Sequence, residues 1–178
     1  MRYLPNGKQM SEADAHTIHK IGIPSLVLME RAALQIVETM HKKNISTEKS
    51  LIVCGSGNNG GDGFAVARLL TEQGKHADVL FAGKEASLSE ECRCQKQIVE
   101  NMGISVFTEF PDEEYTVIID AVFGVGLCRE ITGHYKDVID WMNLQDTEKV
   151  AVDIPSGICA ATGEILGTAF RADLTVCM

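Results

Sequence analysis

Three short stretches of this chain gather residue types that could bind a phosphate, hold a cation or move a proton. The first is Gly55-Ser-Gly-Asn-Asn-Gly-Gly-Asp-Gly63, with five glycines in nine residues. Glycines at this density free the backbone for positive φ and let a ligand approach its N–H groups. A helix expected from Gly61 onward would turn its positive dipole end toward the same space, a setting that favours phosphate. The second stretch is Asp120-Ala-Val-Phe-Gly-Val-Gly-Leu-Cys-Arg-Glu130, an acid at the end of an apolar run followed by a glycine-containing loop. The third is Asp153-Ile-Pro-Ser-Gly157, where an acid again meets a turn, here with a proline and a small hydroxyl. A buried carboxylate needs a cation, hydrogen bonds or a raised pKa, so both acids invite a chemical role.

Gly55, Gly57 and Gly60 satisfy the dinucleotide spacing G-x-G-x-x-G, but two features depart from an ordinary dehydrogenase. The expected second strand ends Leu80-Phe-Ala-Gly83, without the acid that would bind ribose hydroxyls. Asn58, Asn59 and Asp62 are also expected within the turn, where a simple phosphate cradle needs no side-chain oxygens. A P-loop is excluded because G-x-x-x-x-G-K-[ST] is absent. A tight turn alone would account for one or two of the glycines, and turn chemistry alone could account for Asp120 or for the Pro-Ser-Gly segment. All three clusters at one sheet edge are harder to explain that way.

Other searches yield little. His16 and His19 lie three apart without a matching acid motif, and the spacing of His134 and Tyr135 demands no ligand. Ser156 has no G-x-S-x-G elbow, and Cys54 reads as strand packing. The six cysteines show no C-x-x-C pair and are expected to be free thiols.

These clusters require elements to position them. The chain has 178 residues, 45% hydrophobic and 23% charged, as expected for one globular domain spanning 1–178. Its formal charge of -9 argues against a duplex nucleic-acid binder. No apolar run reaches the ~18 residues of a membrane span, and Met1–Ala15 is too polar for a signal peptide, so a cytoplasmic location is expected. Apolar runs at Leu51–Cys54, Ala77–Phe81, Ser105–Phe107, Val117–Asp120, Val150–Ile154 and Leu174–Cys177 read as strands. Gly61–Gln73, Ser89–Met102 and Tyr135–Leu144 read as helices between them. Two further helices precede the first strand, capped by Ser11 and Ser25. The pattern predicts a three-layer, Rossmann-like α/β fold: a parallel sheet with an N-terminal helical extension. Ligands of such sheets bind at the carboxyl ends of the strands.

Taken with Leu28-Met-Glu-Arg-Ala-Ala33, the three clusters strongly resemble the NAD(P)H-hydrate epimerases, the YjeF N-terminal domain family. The resemblance runs over almost the whole chain, in order and spacing. It implies interconversion of the R and S forms of NADHX and NADPHX, cofactors hydrated at C6 of the nicotinamide ring. It implies that Asn58, Asn59, Gly60, Gly61 and Asp62, with Gly124, Val125, Gly126, Leu127, Cys128, Arg129 and Glu130, contact the substrate, and that Asp153 lies close to the reacting ring. It further implies a potassium ion on Asn59, Asp120 and Ser156. A homodimer is expected, with an NAD(P)H-hydrate dehydratase as pathway partner or fused domain, and no partnership with nucleic acid or membrane. Two departures stand out: Arg31 where a small polar residue or Asn is expected, and an end at Met178 where family domains continue, so truncation at the C-terminal end is expected.

Epimerisation could proceed by loss of the hydroxyl to a nitrogen-stabilised cation and return of water to the other face. One carboxyl, with Asp153 the candidate, could serve as both acid and base. Ring opening and reclosure fits equally well. An NAD(P)-dependent oxidoreductase and a non-catalytic nucleotide-binding module are the alternatives.

Overall fold

The computed structural model describes residues 7–177. Helices α1 (Gly7–His16) and α2 (Ser25–Lys42) precede an alternation of β1 (Lys49–Cys54), α3 (Asn58–Glu72), β2 (His76–Phe81), α4 (Glu90–Asn101), β3 (Val106–Phe107), β4 (Val117–Ala121), α5 (His134–Leu144), β5 (Glu148–Val152) and β6 (Leu174–Val176). All strands pair in parallel, in the order β3-β2-β1-β4-β5-β6. The order reverses direction between β1 and β4, and a cleft opens at such a switch point. The predicted fold class is therefore the one observed. Among the described residues, no helix is long and apolar enough to cross a membrane.

The strands are apolar on both faces because helices cover both. Ile52, Val79, Ile119 and Val152 pack into one core with Ala33, Ile36 and Met40 of α2 and Phe64 and Leu70 of α3. Leu51, Val53, Ile118 and Ala151, offset by one residue, pack into a second core with Val138, Ile139 and Met142 of α5. Strand alternation separates the two sets. Asp120 shares the parity of Ile118 and so projects toward the α5 face.

Several expected boundaries move. The first helix already includes Gly7, so Ser11 lies inside it rather than at its cap, and its last turn widens into a π-helical segment, Thr17–Ile21. Gly22, at φ 86°, ends that segment. Pro24 occupies the cap position of α2, and Ser25 Oγ instead donates to Glu91 Oε1 of α4 at 2.6 Å. Helix α3 starts at Asn58, so Asn58, Asn59 and Asp62 belong to its opening turns rather than to a loop. Strand β5 stops at Val152, two residues early, because Asp153 takes a left-handed φ of 66° that no strand continues.

Gly63 sets how closely α3 lies on the sheet. A Cβ there would come within 2.6 Å of Ala121 Cβ and 2.8 Å of Cys54 Sγ. Gly63→Val should therefore destabilise the fold by about 3 kcal/mol, the upper range for overpacking. Removing a helical glycine returns only ~1 kcal/mol at best, so packing decides the sign. Urea unfolding midpoints check this; an unchanged midpoint would mean that α3 can lift off the sheet freely.

Candidate functional site

The site grows from the ends of β1, β4 and β5. After Cys54 the chain turns through Gly55, Ser56 and Gly57 into α3, whose first helical hydrogen bond runs from Gly61 N–H to Gly57 C=O at 3.1 Å. The N–H groups of Asn58, Asn59 and Gly60 have no intrahelical acceptor and face the cleft end of the helix. The glycines divide by role. A Cβ on Gly57 would meet nothing within 4 Å, so this turn is open to a ligand. Gly60 and Gly61 instead serve packing: a Cβ would fall 2.1 Å from Gly55 O and 2.6 Å from Met29 Cε, respectively. Their side of the turn touches protein, and of their two amides only that of Gly60 remains for a substrate.

Asp120 is fully buried, and its carboxylate is the organising centre of the cleft floor. Oδ2 accepts from Ser156 N–H at 2.7 Å; Oδ1 accepts from Ser156 Oγ–H at 2.7 Å and Val122 N–H at 3.1 Å. Burial raises its pKa to about 6, against the lowering effect of these three bonds. Ser156 Oγ in turn accepts from Phe123 N–H at 2.8 Å. The β4 and β5 loops are thus tied to each other through one serine.

Gly124, next along, fills the gap between two other predicted residues. A Cβ there would lie 2.9 Å from Asp153 Oδ2 and 3.4 Å from Asn59 Cβ. Val125 N–H donates to Asp153 Oδ2 at 3.1 Å, and Asp153 N–H donates to Val176 C=O at 2.8 Å. Asp153 is partly buried; its pKa is raised by burial and, less so, by Asp14, and lowered by the Val125 bond. Asn59 has both side-chain amide atoms buried without a hydrogen-bond partner. An unpaired buried amide costs about 1–3 kcal/mol, and this one lies at the junction of the three loops.

Asn59, Asp120, Gly124, Val125, Asp153 and Ser156 are therefore brought into one cluster. The rest of the second stretch behaves differently. Leu127 is buried in the α5-side core, whereas Val125, Gly126, Cys128, Arg129 and Glu130 are exposed along the loop. Ile131 N–H to Leu166 C=O, 2.9 Å, fastens the far end of that loop. Asn58 is exposed at the mouth of the cleft.

Two features had no clear signal in the sequence: the burial of Asp62, which was expected to contact substrate, and the nearness of α1. Asp62 is 9% exposed, and burial, then Asp153, then Asp14 raise its pKa to about 8. Asp14 itself belongs to α1, which sequence reasoning assigned no part in the site. The start of α1 reaches the same region, with a Cβ on Gly7 falling 3.5 Å from Val125 Cβ. Only the pairing of α1 with these loops in space could reveal the connection.

Fold and site together define a Rossmann-like α/β domain with a polar cluster at the strand ends of its switch point. The chain belongs to the family described as the YjeF-related protein N-terminus, which matches residues 25–178. It is 43% identical over 175 residues to an NAD(P)H-hydrate epimerase of Oenococcus oeni, covering 97% of this chain and 83% of that one. An NAD(P)H-hydrate epimerase of Limosilactobacillus reuteri is 45% identical over 175 residues, covering 97% and 82%. The crystal structure of yeast ynu0 shares the fold at a TM-score of 0.83 and 20% identity, covering 98% of this chain and 79% of that one.

The protonated state of Asp62 makes stability depend on pH. Between its ordinary value of 3.8 and about 8, the unfolded chain is ionised at this residue while the folded chain keeps its proton. Folding then binds a proton, so stability attributable to Asp62 falls as pH rises through that window and levels off above it. Asp62→Asn removes the dependence. The variant should gain urea resistance over the parent at pH 8 but not at pH 4; parallel pH profiles would contradict the assignment.

Proposed function

We propose that the chain acts as an NAD(P)H-hydrate epimerase, with the hydrated dinucleotide lying across the ends of β1, β4 and β5. The observation that carries this reading is the meeting of Asn59, Gly124 and Asp153 beside free helix amides, in a chain whose family relatives bear that activity in name. The amides of Asn58, Asn59 and Gly60 are the natural seat of a pyrophosphate. Arg129, exposed on the β4 loop and without an ion-pair partner among the described residues, supplies a countercharge.

Asp153 is the proton-transfer group. Its left-handed backbone, at φ 66°, holds the carboxyl out of the strand, and the Val125 N–H orients Oδ2. Partial burial raises its pKa from the ordinary carboxylate value, the direction that favours a group able to hold a proton as well as take one. As an acid it protonates the departing hydroxyl at C6; as a base it takes the proton from the water that returns. The carbon inverts when the planar cation turns its other face to Asp153 before the water returns.

A potassium ion fits the oxygen-rich set of Asn59, Asp120 and Ser156. The fit rests on the orphaned Asn59 amide oxygen and on a single carboxylate, too little charge for a divalent ion. Bound there, potassium would neutralise buried charge and favour anionic substrate nearby. The proposed physiological setting is metabolite repair beside a dehydratase, with the chain acting as a homodimer in the cytoplasm.

Chromatography of NADHX epimers with the protein alone, then with a dehydratase, tests the activity. Asp153→Asn should slow epimerisation by roughly 10²–10⁴ with little change in affinity. Proportional loss of binding would make Asp153 a ligand contact instead. For the ion, exchange of potassium for tetramethylammonium should weaken substrate binding. Asn59→Ala, a cleaner probe than the structurally tied Asp120, should remove the difference between the two salts. Equal binding in both salts by the parent protein would dispose of the potassium site.

A further inference from the structure

On the other flank of the switch point, a cavity of about 240 Å³ opens at the carboxyl ends of β2 and β3. We propose that this cavity receives the adenine base of the dinucleotide, an inference that rests on the substrate reading above. No motif in the sequence points to it, and none of the proposed substrate contacts lines it. It is too small for a whole dinucleotide, since drug-sized ligands take roughly 300–1,000 Å³, but it suits one aromatic ring system.

Its walls match a flat apolar face with a polar edge. Leu80, Ala82 and Val138 supply the apolar surface, and Phe110 supplies an aromatic one. Phe110 is held in place by stacking on Trp141, with ring centroids 4.9 Å apart and planes at 14°. Two carboxylates, Glu109 and Asp137, also line the cavity. They disfavour a phosphate there and favour a neutral base with an amino donor, which adenine presents as its N6 group. His134 closes one wall, its Nε2 lying 3.2 Å from Ala82 O.

Position gives the direction of binding. Ala82 N–H donates to Cys54 C=O at 2.9 Å, so the cavity wall is continuous with the end of β1 and the glycine turn. Tyr135, next to His134, packs on Phe123 at 4.8 Å and joins the wall to the β4 loop. Along the sheet edge the sequence of sites is then cavity at β2, amides at β1, Gly124 loop at β4 and Asp153 at β5. Three strand intervals separate the two ends, about 14 Å at the usual spacing. With the reacting ring at Asp153 and pyrophosphate at the centre, the base at the far end falls in the cavity.

The test compares AMP with ribose 5-phosphate, which has the same sugar phosphate but no base, by calorimetry on the full chain. The parent protein should prefer AMP. Phe110→Ala, at an exposed position, and Ala82→Leu, which fills the cavity, should each weaken AMP by roughly 5- to 100-fold, the range for loss of base stacking. Ribose 5-phosphate should bind all three proteins alike. In turnover, Phe110→Ala should raise KM for NADHX with kcat kept, as expected for lost uniform binding. A parent protein without preference for AMP, or a preference that survives in Phe110→Ala, overturns the proposal. A chain that epimerises NADHX but shows no AMP preference loses only the cavity assignment. A chain with the preference but no epimerisation loses only the activity.

Discussion

A carboxylate buried at the end of a central strand is expensive, several kcal/mol even after relaxation, unless the surrounding backbone answers it. Asp120 is answered by three donors, two from Ser156 and one from Val122. That requirement shapes everything above the sheet at the switch point. Ser156 can donate to Asp120 only if the segment after β5 folds back over β4. Its hydroxyl then has an acceptor lone pair left for Phe123 N–H, which directs the β4 loop. Gly124 follows immediately, and its lack of a side chain allows Asp153 and Asn59 to close on either side of it. The candidate acid, the orphaned amide and the free helix amides are neighbours because one buried charge had to be satisfied.

The architecture was legible because burial on both faces leaves an unmistakable trace. Leu51–Cys54 and Val117–Asp120 are continuous apolar runs, and only a sheet covered twice asks for such strands. The clusters were legible for a related reason: polar residues at the ends of apolar runs have few structural excuses. Local end effects were not legible. Ser25 has the composition of a cap, but Glu91 is a better partner across the helix packing than the backbone of its own helix. Asp153 looked like part of the strand Val150–Ile154, and nothing in Asp-Ile-Pro announces a positive φ. Gly60 and Gly61 looked like ligand-facing glycines, but Gly55 and Met29 occupy the space a side chain would need. Leu127 sits among loop residues in the chain and among core residues in space. Each of these depends on a contact from a distant element, which periodicity and turn propensity do not record.

The charge of the cleft differs from what residue counting suggests. A chain with formal charge -9 and acids at 62, 120 and 153 in one region looks hostile to an anionic dinucleotide. Burial changes the balance at Asp62: its carboxyl, with a pKa raised to about 8, is largely neutral at pH 7, whereas Asp120, raised to about 6, stays largely ionised among its donors. The glycine turn adds unpaired N–H groups and the positive end of α3, which attract anions without a basic side chain. Keeping Asp62 protonated lowers stability at neutral pH, yet it leaves the floor of the cleft less negative where phosphates would approach. Burial of Asp62 thus leaves less negative charge beside the helix amides than residue counting suggests, and Asp153 is the least buried of the three carboxyls.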